Sequence, residues 1–152
     1  MKYKQYKWGK MRTENKYIRL TRQKIKEIFQ ECNNLYFNDV IELPKKFELW
    51  TCQKNCVGWV RAIWDRKARR FVTWFHISGR YRWTEDNLRK TIIHEMIHMY
   101  LRDYMVPLTF WQRIFPRKQH GRKFIEKMNE LNDKFNLGIM TNAPYMKKEL
   151  IE

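Results

Sequence analysis

The chain is predicted to fold as an α+β domain: an N-terminal helix, a three-stranded antiparallel meander, a central helix and a C-terminal helix. Three observations predict it. Apolar residues recur at spacings of three and four over residues 21–38 and again over 121–135, the period of a helix buried on one side. Residues 46–78 alternate in polarity and are broken by two short polar turns, as antiparallel strands are. Residues 85–101 are apolar nearly all round, which marks a helix buried on every side.

Each element has its own local reason. Thr21 can cap a first helix, whose stripe is Ile25, Ile28, Phe29, Cys32, Leu35 and Tyr36. Asn38-Asp39 ends it, and Leu43-Pro44 opens an extended segment. The strands are expected at Phe47–Cys52, Val57–Trp64 and Phe71–Ser78, with turns at Gln53-Lys54-Asn55 and Asp65–Arg69. On the third strand, Phe71, Thr73, Phe75 and Ile77 share one face and Val72, Trp74 and His76 the other. Thr84 can cap the central helix, with Glu85 and Asp86 favouring its positive end. The last helix starts near Gly121, and Asn136-Leu137-Gly138 stops it. One domain over 21–138 is expected, preceded by a basic, aromatic arm (1–20) and followed by a loosely held tail (139–152).

Composition narrows the function classes. At 43% hydrophobic and 32% charged residues, the chain is too apolar for disorder and too polar for a membrane protein. Residues 1–20 carry seven basic residues and one acid with no apolar run behind them, so no secretory leader is expected. No stretch of 18 apolar residues exists, so no membrane span is expected. Three cysteines, Cys32, Cys52 and Cys56, suggest reduced thiols in an intracellular protein of the cytoplasm, nucleus or nucleoid. Cys52 and Cys56 lack a second pair to close a zinc site, so both read as small hydrophobes. The net charge of +16 points to a polyanion, with nucleic acid ahead of an anionic membrane surface. Candidate contacts are Lys7, Trp8 and Lys10 in the arm, and Arg113, Arg117, Lys118 and Arg122 near His120. The alternative for the arm is a plain soluble terminus.

The chemistry centres on His94-Glu95-Met96-Ile97-His98, an H-E-x-x-H on the central helix. Two histidines four apart project from one face and suit two ligands of a tetrahedral Zn²⁺. Glu95 lies about 100° round the helix from His94, beside the metal, where it can take a proton from water. A catalytic zinc needs a third protein ligand. His120 precedes Phe124 by four and continues the stripe of Phe124, Met128, Leu131 and Phe135, whereas Glu126 and Glu130 fall opposite; His120 is therefore the expected third ligand. His76, the remaining histidine, is a ligand, a cleft residue or an ordinary strand residue.

Taken together, Asn34-Leu35-Tyr36-Phe37-Asn38, Leu43-Pro44, the strands, Thr91–Tyr100 and His120-Gly121-Arg122-Lys123-Phe124 resemble the SprT-like zinc metalloprotease domain, which the Spartan proteases also carry. The resemblance covers about residues 21–135. It implies a minimal zincin-like fold with His94, His98 and His120 on zinc and Glu95 as general acid and base. It also implies a DNA-repair role, because Spartan-type members cleave proteins crosslinked to DNA and are switched on by DNA. Two departures stand out: no cysteine follows Phe135 to build the appended zinc ribbon, and the stretch from His98 to His120 is long and bulky. Tyr104 or an arginine of 102–119 is a candidate oxyanion donor. The expected activity is a monomeric, zinc-dependent metalloendopeptidase acting on proteins attached to single-stranded or junction-containing DNA, away from membranes. The alternative is a nucleic-acid-binding protein with a structural zinc and no proteolysis, or a zinc peptidase acting elsewhere whose charge serves an acidic substrate or a membrane surface.

Overall fold

A computed structural model describes residues 16–50, 56–105 and 120–151. The fold is α+β. Helix α1 spans Arg22–Phe37, strands β1, β2 and β3 span Lys46–Trp50, Gly58–Asp65 and Arg70–Ser78, and helix α2 spans Glu85–Tyr100. A π-helical turn, Leu101–Met105, extends α2; helix α3 is Arg122–Phe135, and a 3₁₀ segment runs over Pro144–Glu149. Among the described residues no helix is long and apolar enough to cross a membrane.

The caps act as the side chains dictate. Thr21 Oγ1 accepts from the Lys24 amide at 3.0 Å and Thr84 Oγ1 from that of Asn87 at 3.1 Å. Asn38 and Asn136 close α1 and α3 in left-handed backbone, φ 51° and 53°. The α1 stripe is buried at Ile25, Ile28, Phe29 and Cys32, but it continues through Phe37; Leu35, expected in the stripe, is 50% exposed.

The sheet corrects one expectation. It is mixed, in the order β1-β3-β2, and not an antiparallel meander. β2 and β3 form an antiparallel hairpin, while β1 runs parallel to β3 on its other side, with Phe47 beside Phe75. The physical reason is burial. β3 holds buried Thr73, Phe75, His76, Ile77 and Ser78, so it occupies the centre, where both edges are paired and both faces are shielded. The seven residues between Trp50 and Gly58 are long enough to cross the end of β3, about 10 Å between the outer strands. The β2–β3 turn is locally coded: Asp65 Oδ1 accepts from the amides of Lys67 and Ala68.

One face of the sheet packs on the helices. Phe29 of α1 meets Phe47 and Phe75 edge-on at 5.6 and 5.5 Å. Gly58 brings β2 close to α2: a Cβ there would lie 3.0 Å from Thr91 Cγ2 and 3.3 Å from the His76 carbonyl. The last segment also packs, contrary to the loose tail expected. Ile139, Met146 and Glu149 are buried, and backbone bonds join Arg82 to Glu149 and Ile151 to Arg80 at 2.7 Å each. At the other end, Ile18 bonds to the carbonyl of buried Trp83 at 2.7 Å, so the end of the expected arm is held to the core.

Candidate metal centre

The centre is assembled by α2 and the start of α3. Leu88, Ile92, Ile93, Met96, Ile97 and Met99 are all at most 1% exposed, which fixes α2 inside the core and leaves its orientation no freedom. His94 and His98 share one face, with ring centroids 5.1 Å apart. His120 stands just ahead of α3, whose Phe124, Met128 and Leu131 anchor it in the core. Its ring is 4.8 Å from that of His94 and 5.1 Å from that of His98. Phe124, 1% exposed, packs against all three imidazoles at 4.6–4.8 Å.

Each of the three histidines offers one ligand atom within 4.8 Å of the others, so the group could hold a metal ion. The Nε2 atoms of His94 and His120 are 2.9 Å apart. A tetrahedral ion with bonds of 2.0–2.1 Å places donor atoms about 3.3 Å apart, so a small adjustment accommodates it. Three imidazoles suit a borderline transition ion better than an oxygen-seeking one such as Mg²⁺. The electrostatics agree. Burial pushes His94 down to about 4 and His98 down to about 3, and it also lowers His120. All three rings are thus neutral at pH 7, as ligation requires.

Glu95 follows His94 and is 6% exposed. Burial pushes its carboxyl up to about 8. Its charge reaches the start of β2, where it raises the Cys56 thiol after burial, the larger cause.

A third contribution comes from the packed tail. The His94 Nδ1–H donates to the Met140 carbonyl at 2.9 Å, which fixes the tautomer and leaves Nε2 free to ligate. Asn132 of α3 holds the preceding residue at both ends: its Nδ2 donates to the Ile139 carbonyl and its Oδ1 accepts from the Ile139 amide, both at 2.8 Å. Sequence reasoning missed Met140 and Asn132. A backbone carbonyl carries no side-chain signature, and an asparagine on a polar helix face looks like solvent-exposed filler.

The remaining candidates fall elsewhere. Glu126 and Glu130 are exposed and pair with Arg122 at 2.7 Å and Lys127 at 3.0 Å. The Arg122 side chain is 92% exposed. Lys7, Trp8, Lys10, Arg113, Arg117 and Lys118 lie outside the described residues. His76 is buried on the sheet among Trp50, Trp59 and Trp74 and is not in the histidine group. Tyr104 and Arg102 line a cavity of about 660 Å³ that has no histidine in its wall. There the Tyr104 hydroxyl accepts from the Glu42 amide at 3.2 Å, and the Arg102 guanidinium donates to Asp103 and Thr73.

No curated protein matches the chain closely enough to name a relative. A model of the SprT-like family, however, matches residues 25–145, a span holding all three histidines, Glu95, Asn132 and Met140. The chain belongs to the SprT-like family.

Proposed function

We propose that this protein is a zinc-dependent metalloendopeptidase acting on proteins bound or crosslinked to DNA. The observation that carries the reading is the meeting of His94, His98 and His120, with buried Glu95 next to His94 in the chain. His94, His98 and His120 would hold the ion. Bound there, zinc supplies Lewis acidity, which polarises a peptide carbonyl and lowers the pKa of water towards 7.

The chain's own residues do the rest. Glu95 accepts a proton from the attacking water and returns it to the nitrogen of the departing amine. In the metal-free chain, burial raises this carboxyl above the usual carboxylate range. The Met140 carbonyl holds the His94 ring in one tautomer. Buried Phe124 packs against all three imidazoles.

A structural zinc in a nucleic-acid-binding protein is less well supported. Such sites are closed by four protein ligands, and the group among the described residues has three. DNA as the place of work is supported by the charge of +16, which an anionic polymer neutralises. The test is to load the purified protein with zinc, count the metal by elemental analysis, and follow cleavage of a basic DNA-bound protein with and without DNA. One zinc per chain with DNA-stimulated cleavage supports the proposal. Full zinc loading with no cleavage of any protein substrate would favour the structural-zinc reading.

A further inference from the structure

The two faces of the sheet differ in kind. One meets the helices, through Phe29 on Phe47 and Phe75 and through Thr91 at Gly58. The other carries two cross-strand rows, Trp59–His76–Glu48 and Arg61–Trp74–Lys46, with Trp50 against His76 at 5.7 Å.

The second row places an aromatic ring between two cations. Trp74 is half-buried, and Lys46 and Arg61 are exposed. Lys46 Nζ lies 4.3 Å from the centre of the Trp74 ring, and Arg61 is its direct neighbour on β2. Among the described residues no carboxylate pairs with either cation. Exposed Arg66, Lys67 and Arg69 continue the positive charge along the hairpin end. The one acid of the first row, Glu48, is already neutralised by Arg22 at 3.2 Å.

The first row holds polar atoms without partners. His76 is 4% exposed, and among the described residues neither of its ring nitrogens has a hydrogen-bond partner; nor have the indole nitrogens of Trp50 and Trp59. Each such atom costs about 1–3 kcal/mol unless something satisfies it. Trp50 and Trp59 themselves are only half-buried, so the row lies at the surface of the sheet.

Stacking rings, flanking cations and unspent hydrogen-bonding groups are the components of a surface for unpaired bases. A duplex, with its bases already stacked and paired, cannot use Trp74 in this way. Adjacent rows are two residues apart along a strand, about 7 Å. That is roughly twice the 3.4 Å axial step of one duplex strand, the reach of an extended, unstacked strand.

We propose that this outer sheet face binds single-stranded DNA, with a base stacked on Trp74 and phosphates on Lys46 and Arg61. The choice of DNA rests on the proposed function above; the site itself is separate from the histidine group.

The test is fluorescence anisotropy of a labelled 15-nucleotide oligo-dT against the full chain carrying Glu95→Gln, over a range of salt. Because no proteolysis is read, a failure here leaves the protease reading standing, and a failed protease assay leaves this result standing. Trp74→Ala removes no charge. It is expected to weaken binding roughly 5- to 100-fold at every salt concentration with an unchanged salt slope. Arg61→Ala is expected to lower the slope by about 0.7. Trp74→Phe, which keeps a ring and guards against a folding artefact, is expected to retain most of the affinity. A control, Lys147→Ala with Lys148→Ala on the exposed tail, is expected to change only the general charge effect. The proposal is overturned if both Trp74 variants bind within about twofold of the parent, or if the same sequence binds as well when duplexed. Tighter binding of oligo-U RNA would overturn the assignment to DNA.

Discussion

The Nδ1–H of His94 donates to the backbone carbonyl of Met140 at 2.9 Å, joining α2 to a segment 46 residues downstream. That carbonyl is placed by Asn132, which holds Ile139 by two bonds of 2.8 Å. The orientation of the His94 ring on α2 is thus set partly by α3. Groups that orient a metal-binding imidazole are commonly worth 10–100-fold in metal affinity. Asn132→Ala is therefore expected to weaken zinc binding about 10- to 100-fold, measured by competition with a chromogenic chelator. Wild-type affinity in a folded Asn132→Ala protein would show that the clamp does not reach His94.

Metal should also be visible as stability. A ligand that binds only the folded chain adds about 2.7 kcal/mol at one hundred times its Kd. For a chain of this size that raises Tm by about 5–11 °C. Removing the ion with a chelator should reverse the gain. His120→Ala should abolish most of it and lower zinc stoichiometry by elemental analysis, because two imidazoles hold an ion far more weakly than three. An undiminished thermal shift in His120→Ala would exclude it as a ligand.

Burial of Glu95 makes a signed prediction for the metal-free protein. The ordinary value of its carboxyl is 4.5, and burial raises it to about 8 in the fold. Between these values the folded chain holds a proton that the unfolded chain has lost, so stability falls as pH rises through the window. Below 4.5 both states are protonated, and above about 8 the full cost of a buried carboxylate is present. Glu95→Gln should match wild type in stability near pH 4 and exceed it increasingly up to about pH 8, read as a growing difference in Tm. The histidines act oppositely. With His94 held at about 4 and His98 at about 3, against an ordinary 6.5, they weaken the apo fold as pH falls below 6.5. Because they are common to both proteins, the difference between wild type and Glu95→Gln isolates the carboxyl. A difference in Tm that stays flat from pH 4 to 8 would contradict the burial of its charge.

How much of this was legible beforehand depended on how local the cause was. Thr21 and Thr84 cap their helices through contacts three residues away, so the helix starts were readable. His94 and His98 meet because of helical spacing alone, and His120 follows the α3 stripe through Phe124. The β2–β3 hairpin was readable from Asp65 and its turn. The place of β1 was not, because its pairing with β3 is decided by which strand the core buries most, a property of the whole fold. The packing of 139–151 was likewise hidden. Its short apolar runs have no period, and their partners, Tyr81 and His94, are far away in sequence.

The most direct measurement compares wild type and Glu95→Gln, each carrying a measured amount of zinc, in cleavage of a basic protein bound to DNA. Glutamine keeps the size and buried position of the side chain but can neither accept nor return the proton. Equal zinc content and a loss of cleavage rate of about 10²–10⁴-fold are expected, the range for removing a general acid–base group. Cleavage by zinc-loaded Glu95→Gln at the wild-type rate would contradict this role of Glu95.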